Sequence, residues 1–428
     1  MKSISIQRIL FLIGIALWFP VIIRSQTDKE KKLIEAIRLE KNPKKQFLRM
    51  MALGEHYKST NIFKADSLSH VLLVKSRRFE DSIRFSALMY SAEINNLCGD
   101  QDEYFREILA CQPFLNKLSS DRVKFAIYHH LGNYHSFSHE FNAANFYLRE
   151  AEKIALKARN NAQIAANYNF IAEHYMRQNL KDSALYFSDL ALKYGRRSSG
   201  KNMLDECLNI QSSIYSFFGQ IELSVAKNIL AAEWALKSGD LYHLSQYYRE
   251  IGMSQRQIRN FDDANYYLTR SLSFAKQIID KRQMGLALIS IGYIFYERKL
   301  YDVAIQKVDE SMRLLDNLGD LNGLGEAYNL LGIVRREQRN YPQSIIALNK
   351  ALVIFESTGN KDKISEVYYN VGTVFIKQNK ATNALQYLNR SLDIRKSSGN
   401  QNLIYENYRL LSEVYRKLGQ TQSALKYI

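Results

Sequence analysis

Small residues return in this chain at a constant step of 40. Ala52, Ala92, Gly132, Ala172, Ser212, Gly252, Gly292, Gly332, Gly372 and Ser412 are each Gly, Ala or Ser. A fixed period of this length marks a repeat architecture, in which each supersecondary unit stacks on the next. Other columns keep the same step. Ala144, Ala184, Ser224, Ala264, Ala304, Ser344, Ala384 and Ala424 stand twelve residues after the small anchor, and Ala151, Ala191, Ala231, Ser271, Ser311, Ala351 and Ser391 stand seven further on. Four before the anchor come Tyr128, Tyr168, Leu208, Tyr248, Leu288, Tyr328, Tyr368 and Tyr408.

Two antiparallel helices approach closely only where the side chains at their crossing are small. The spacing therefore predicts a helix hairpin per repeat, with Gly332 on a first helix facing Ser344 and Ala351 on a second. Tyr328 fills the space beside that crossing. Leu131, Ile171, Ile251, Ile291, Leu331, Val371 and Leu411, each one residue before the anchor, complete a buried stripe at helical spacing. One hairpin cannot bury such a stripe alone, so neighbours share a continuous core.

Turn chemistry agrees. Gly239-Asp240, Gly319-Asp320, Gly359-Asn360 and Gly399-Asn400 read as a left-handed helix stop followed by an N-cap. Arg259-Asn260 and Gln378-Asn379 read as short polar turns inside hairpins. The chain has only 4 prolines, as a mostly helical protein requires, and Pro342 falls in the first turn of a second helix, where its missing N–H costs little.

The pattern resembles the tetratricopeptide repeat in a 40-residue form. An apolar-Gly pair, an aromatic three residues on and an Ala twelve on appear as Ile291-Gly292, Phe295 and Ala304, and again as Val371-Gly372, Phe375 and Ala384. His135, Gln255 and Arg335 depart at the aromatic column, and the family's proline between repeats is replaced by Gly-Asn or Gly-Asp. The resemblance covers residues 45–428, with a divergent stretch at 45–124 and an array at 125–428 behind a helical lead-in at 26–44. It implies an all-α, right-handed α-solenoid (superhelix) of antiparallel helix hairpins, about ten repeats long, that binds a protein or peptide in a groove lined by first helices. First-helix residues off the buried stripe then face the groove: Asn133, Asn169, Glu173, Asn209, Arg249, Met253, Arg256, Tyr293, Tyr296, Asn329, Arg336, Tyr369, Arg409 and Arg416. Asn hydrogen-bonds a peptide backbone, and Arg and Tyr are favoured at binding hot spots. The Lys and Asn columns that grip a C-terminal carboxylate in chaperone-binding relatives are missing.

Chemistry of other kinds is weakly represented. His129, His130, His135 and His139 cluster with Glu140, and His135 and His139 lie four apart, a spacing that suits a metal on one helix. His135, however, occupies the aromatic column, which predicts packing inside its hairpin. Without a paired-cysteine metal motif, phosphate loop or nucleophile elbow, the reading is a binding protein without cofactor, not an enzyme. The formal charge of +16 raises nucleic acid as a partner, but the 59 basic residues are spread among 43 acidic ones with no long basic run, so none is expected.

Lys2 and Arg8 precede an apolar run from Ile9 to Ile23 that is shorter than the ~20 residues of a bilayer span. This predicts a signal peptide over 1–25, cut between Ser25 and Gln26, with an uncleaved anchor as the alternative. The expected location is periplasmic or cell-envelope, with membrane contact through that segment alone. Cys98 is expected in a turn and Cys111 near the far end of the next helix, roughly 20 Å away. A disulfide needs alpha carbons within about 7 Å, so both, like Cys207, are expected free. The sequence stops inside the second helix of its last hairpin. Bacterial proteins of the resembled type often continue into a transmembrane helix and a histidine kinase or helix-turn-helix regulator. The alternative expectation is therefore an extracytoplasmic sensor region whose effector lies beyond residue 428.

Overall fold

The computed structural model describes residues 28–98, 100–198, 203–318, 320–398 and 401–427. After a helix over 28–39, the chain forms consecutive antiparallel hairpins. Pro43–Thr60 pairs with Ile62–Ser76, and Asp81–Cys98 with Gln101–Cys111, followed by the short Phe114–Lys117. From Asp121 onward the spacing is regular. Asp121–Phe137 pairs with Phe141–Lys157, Asn161–Arg177 with Lys181–Gly195, Met203–Phe217 with Ile221–Ser238, and Leu241–Gln257 with Phe261–Gln277. Lys281–Glu297 pairs with Tyr301–Asp316, Leu321–Glu337 with Tyr341–Ser357, Lys361–Lys377 with Ala381–Ser398, and Gln401–Lys417 with Thr421–Leu425. The chain is an all-α solenoid of helical hairpins, without strands among the described residues. Its contacts divide into two compact bodies. The first holds the described residues up to His174 with Leu185–Tyr248 and Ser273–Asp280; the second holds Tyr175–Ala184, Arg249–Leu272 and the chain from Lys281.

The turns explain why the helices stop where they do. Inside successive hairpins a left-handed residue recurs at the 40-residue step: His139, Asn179, Gly219, Arg259, Lys299, Arg339, Asn379 and Gly419 all have φ between 59° and 76°. The next residue returns a backbone bond to the helix it leaves, as in Glu140 N to His135 O (2.8 Å), Asn340 N to Arg335 O (2.9 Å) and Lys380 N to Phe375 O (2.9 Å). This satisfies carbonyls that a helix end would otherwise orphan. Between hairpins, Gly239 and Gly359 take the left-handed conformation. Asp240, Asp320 and Asn360 then cap the next first helix by accepting the backbone N–H of His243, Gly323 and Lys363. Gly319, Gly399 and Asn400 lie outside the described residues, as do residues 1–27 with the expected signal segment.

Packing inside the hairpins shows what the small anchor accommodates. A Cβ at Gly132, Gly252, Gly332 or Gly372 would stand 2.6–2.9 Å from Leu148, Leu268, Leu348 or Leu388 respectively. Each glycine is thus a notch for a leucine knob sixteen residues later. Where the anchor is larger, as Ala172 or Ser212, the residue sixteen on is Ser188 or Asn228. Gly292 meets Val308. A larger anchor is thus matched by a smaller residue opposite, as close packing requires. The serines of the second helix add a bond: Ser344 Oγ donates to Gly332 O (2.7 Å), Ser311 Oγ to Gly285 O (2.9 Å) and Ser391 Oγ to Ser365 O (2.8 Å). The aromatic column stacks on a later tyrosine, Phe375 on Tyr387 of the second helix and Tyr415 on Tyr427 just past the end of Thr421–Leu425.

The side chain nearest Gly332 is Leu348, which stands between Ser344 and Ala351 on the second helix and which the small columns do not reveal; the Ser344 contact stands. In the first hairpin Ala52 is exposed, and the buried small residue is Gly54, which meets Tyr90 from the first helix of the next hairpin. The helix there begins at Pro43 and a single residue, Asn61, joins it to its partner. Cys98 and Cys111 each end a helix, and all three cysteines are free. Burial pushes the Cys111 and Cys207 thiols up to about 12. Among the described residues no helix is long and apolar enough to cross a membrane.

Candidate functional site

In the second body the first helices carry polar side chains that touch from one repeat to the next. Lys363 places Nζ 3.1 Å from Glu326 Oε1 and 3.2 Å from Glu366 Oε2. Glu326 before all else, then Glu366, holds the Lys363 ammonium well above its usual range against the cost of burial. Asn329 donates Nδ2 to Glu366 Oε1 (2.8 Å) and accepts from Asn370 Nδ2 (2.9 Å). Five side chains from two neighbouring first helices therefore form one bonded ladder.

Further charges border it. Arg256 lies over the Tyr293 ring at 4.9 Å and pairs with Glu297. Arg336 pairs with Glu337 through Nε at 2.9 Å and bonds Thr373 on the next first helix. Arg282 Nε meets Asp320 Oδ2 at 2.9 Å. Arg395, from a second helix, lies 4.7 Å from the Tyr369 ring centroid. Burial, then Glu366, raises the Tyr293 hydroxyl, and burial also raises Tyr296 and Tyr369. Such pairs are each worth little when exposed; half-buried and shared across repeats they fix the geometry of the face.

The positions read from the sequence divide by environment. Arg249, Arg256, Tyr293, Tyr296, Arg336 and Tyr369 are half-buried in the second body, and Arg409 and Arg416 are exposed there. Asn329 is buried between repeats, and Met253 packs on the cluster of Ala264, Leu268, Ile291 and Ile294. In the first body Asn209 turns into its own hairpin, bonding Asn228 Oδ1 at 3.0 Å. Asn169 is buried with Nδ2 on Cys207 Sγ at 3.5 Å, while Asn133 and Glu173 are half-buried. Spacing missed Lys363 and the glutamates. A signal existed for the latter: Glu206, Glu326, Glu366 and Glu406 share one column, six residues before the anchor.

The histidines of the first body are held by structural partners. His135 stacks on Tyr147 (5.0 Å between centroids, 8° between planes) with Nδ1 2.6 Å from Glu140 Oε2. His139 is the left-handed turn residue, past the end of the helix that carries His135. His129 lies between Phe125 and Phe170 and bonds Asn167 Oδ1 at 3.2 Å. Burial lowers its imidazole to about 3. A second polar cluster stands at the start of Leu241–Gln257. Asp240 Oδ2 is 2.9 Å from His243 Nδ1, and Tyr247 donates its hydroxyl to the wholly buried Asp205 at 3.2 Å. Burial pushes Asp205 up to about 7; burial works against charge on His243 too, but Asp240 raises it to about 9.

Fold and face define a class, the helical-repeat solenoid built from hairpins that pass contacts along their first helices. Residues 363–428 match the family model described as tetratricopeptide repeat. The hairpin of that tetratricopeptide-repeat segment recurs through the regular part of the chain. Solved structures share the fold at low identity. A Rap protein complexed with Competence and Sporulation Factor is 14% identical with a TM-score of 0.58, covering 83% of this chain and 98% of that one. Aspartyl phosphate phosphatase F from Bacillus subtilis is 14% identical with a TM-score of 0.56, over 82% and 92%. The Rap conjugation gene regulator of plasmid pLS20, in complex with the Phr* peptide, is 11% identical with a TM-score of 0.53, over 80% and 92%. No curated protein matches.

Proposed function

We propose that this chain is a non-catalytic interaction scaffold that binds a protein or peptide along the first-helix face of its second body. The observation that carries the reading is the ladder in which the buried Asn329 and Asn370 fix the half-buried Glu366, so that Glu326, Lys363 and Glu366 stand as aligned charged groups across consecutive repeats. Tyr293 and Tyr369, each under a guanidinium, supply rigid aromatic contact area of the sort favoured at binding hot spots. Arg249 and Arg416 form no ion pair among the described residues, while Arg409 bonds the Tyr369 hydroxyl. These guanidiniums remain for a partner's carboxylates. Two proteins of this fold were solved with Competence and Sporulation Factor and with the Phr* peptide, which supports the same use here.

Selection of a displayed random peptide library on the protein tests the reading. Tyr293→Ala and Lys363→Ala should each weaken selected peptides about tenfold, as loss of a hot-spot contact does. Tyr266→Ala, on a second helix, should leave them unchanged. Peptides insensitive to both first-helix variants would overturn the assignment of the face.

A further inference from the structure

The first body carries a cavity of about 440 Å³ lined by Asp189, Leu192, Lys193, Arg196, Arg197 and Lys227. Its size lies within the range of small-ligand sites. Two elements build it: the end of Lys181–Gly195 with the turn after it, and the outer side of Ile221–Ser238. Four of the six lining residues are cations. None of the four makes an ion pair or a side-chain hydrogen bond among the described residues; Lys193 only approaches the neighbouring Tyr194 ring, at 6.0 Å. The lone acid is already engaged, since Asp189 Oδ1 accepts from Gln211 Nε2 at 2.7 Å.

A helix C-terminus attracts one or two cations through its free carbonyls. That effect accounts for Lys193 or Arg196. It does not account for Lys227, which stands in mid-helix on the opposite wall. The turn that presents the arginines is also pinned. Arg196 N bonds Leu192 O (3.0 Å), Arg197 N bonds Tyr194 O (3.0 Å), and Asn161 of the preceding repeat donates Nδ2 to Arg197 O (3.2 Å). Like charges on a fixed turn around a concavity focus a positive potential there. Leu192, 5% exposed, adds an apolar wall.

We propose that this cavity binds a phosphate monoester, the dianion held by Arg196, Arg197, Lys193 and Lys227 and the organic stem resting on Leu192. Arginine forks suit phosphate oxygens bidentately, and lysines add compact charge. The site shares no residue with the first-helix face proposed above, so either can fail alone.

Titration calorimetry with phenyl phosphate, inorganic phosphate and phenol as probes tests the assignment on the whole chain. Phenyl phosphate should bind saturably with strong salt dependence, more tightly than inorganic phosphate, and phenol should not bind. Arg196→Gln with Arg197→Gln should weaken phenyl phosphate about tenfold or more. Arg149→Gln with Lys276→Gln, which removes the same charge elsewhere on this body, should change it less than about twofold. Circular dichroism of both double variants checks that they fold. Equal loss in the two would reduce the effect to general surface charge and overturn the site, as would absence of saturable binding. Equal affinity for inorganic phosphate and phenyl phosphate would overturn the part assigned to Leu192.

Discussion

Ile279 shows how single residues in this chain serve a repeat geometry that does not favour them. It occupies the left-handed position between hairpins at φ 56°, where Gly239 and Gly359 stand in other repeats. A branched side chain is strained there, and Ile279 is 58% exposed, so it gains little from burial. Ile279→Gly should stabilise the protein by about 1 kcal/mol; a loss of stability in chemical denaturation would show that the turn is held by the side chain instead. His129 shows the opposite case, a polar group made to serve as an aromatic. With the folded imidazole at about 3 against 6.5 in the unfolded chain, the native state binds fewer protons between those values. Its contribution is therefore complete above about pH 6.5 and is lost as pH falls through the window. Asp205, raised to about 7, contributes with the opposite sign between about pH 4 and 7, so a difference measurement is needed. His130 and Glu93 are the titratable groups nearest His129. The stability advantage of the wild type over His129→Phe should shrink from pH 7 to pH 4. A gap independent of pH would contradict the buried neutral imidazole.

Within a hairpin, the glycine notch and its leucine are one device. A Cβ at Gly332 would stand 2.6 Å from Leu348 Cγ. Gly332→Ala should cost roughly 1–3 kcal/mol by overpacking, and hydrogen exchange should place the loosening near 321–357. Adding Leu348→Val or Leu348→Ala should return part of the loss, since the chain already sets the smaller Ser188 sixteen residues after the larger anchor Ala172. Double-mutant costs that simply add would dissociate the pair. This device was half legible in the sequence. The period exposed the small columns, the caps at Asp240 and Asn360, and the role of Pro342. It could not expose Leu348, the large side chain between the small Ser344 and Ala351 that fills the notch at Gly332. Nor could a fixed step register the first hairpin, where a one-residue connection accompanies an exposed Ala52 and a buried Gly54. Site residues followed the same rule. Arg256, Tyr293 and Arg336 stand half-buried on first helices because the period places the helices. Asn209 turned inward to Asn228 because its repeat lacks the leucine that fills the crossing elsewhere.

For the whole molecule, stability and binding share one source. Between the repeats at 321–357 and 361–398, Asn329 is bonded by Glu366 and Asn370 of the following repeat. Repeats that depend on neighbours in this way fix the spacing of groups along the face before a ligand arrives, which lowers the ordering cost of binding. The most direct test is hydrogen exchange of the full chain with and without a library-selected peptide. Slowed exchange should concentrate in the first helices Lys281–Glu297, Leu321–Glu337 and Lys361–Lys377. Slowing confined to the second helices Phe261–Gln277, Tyr301–Asp316 and Tyr341–Ser357 would contradict the first-helix face as the site of binding.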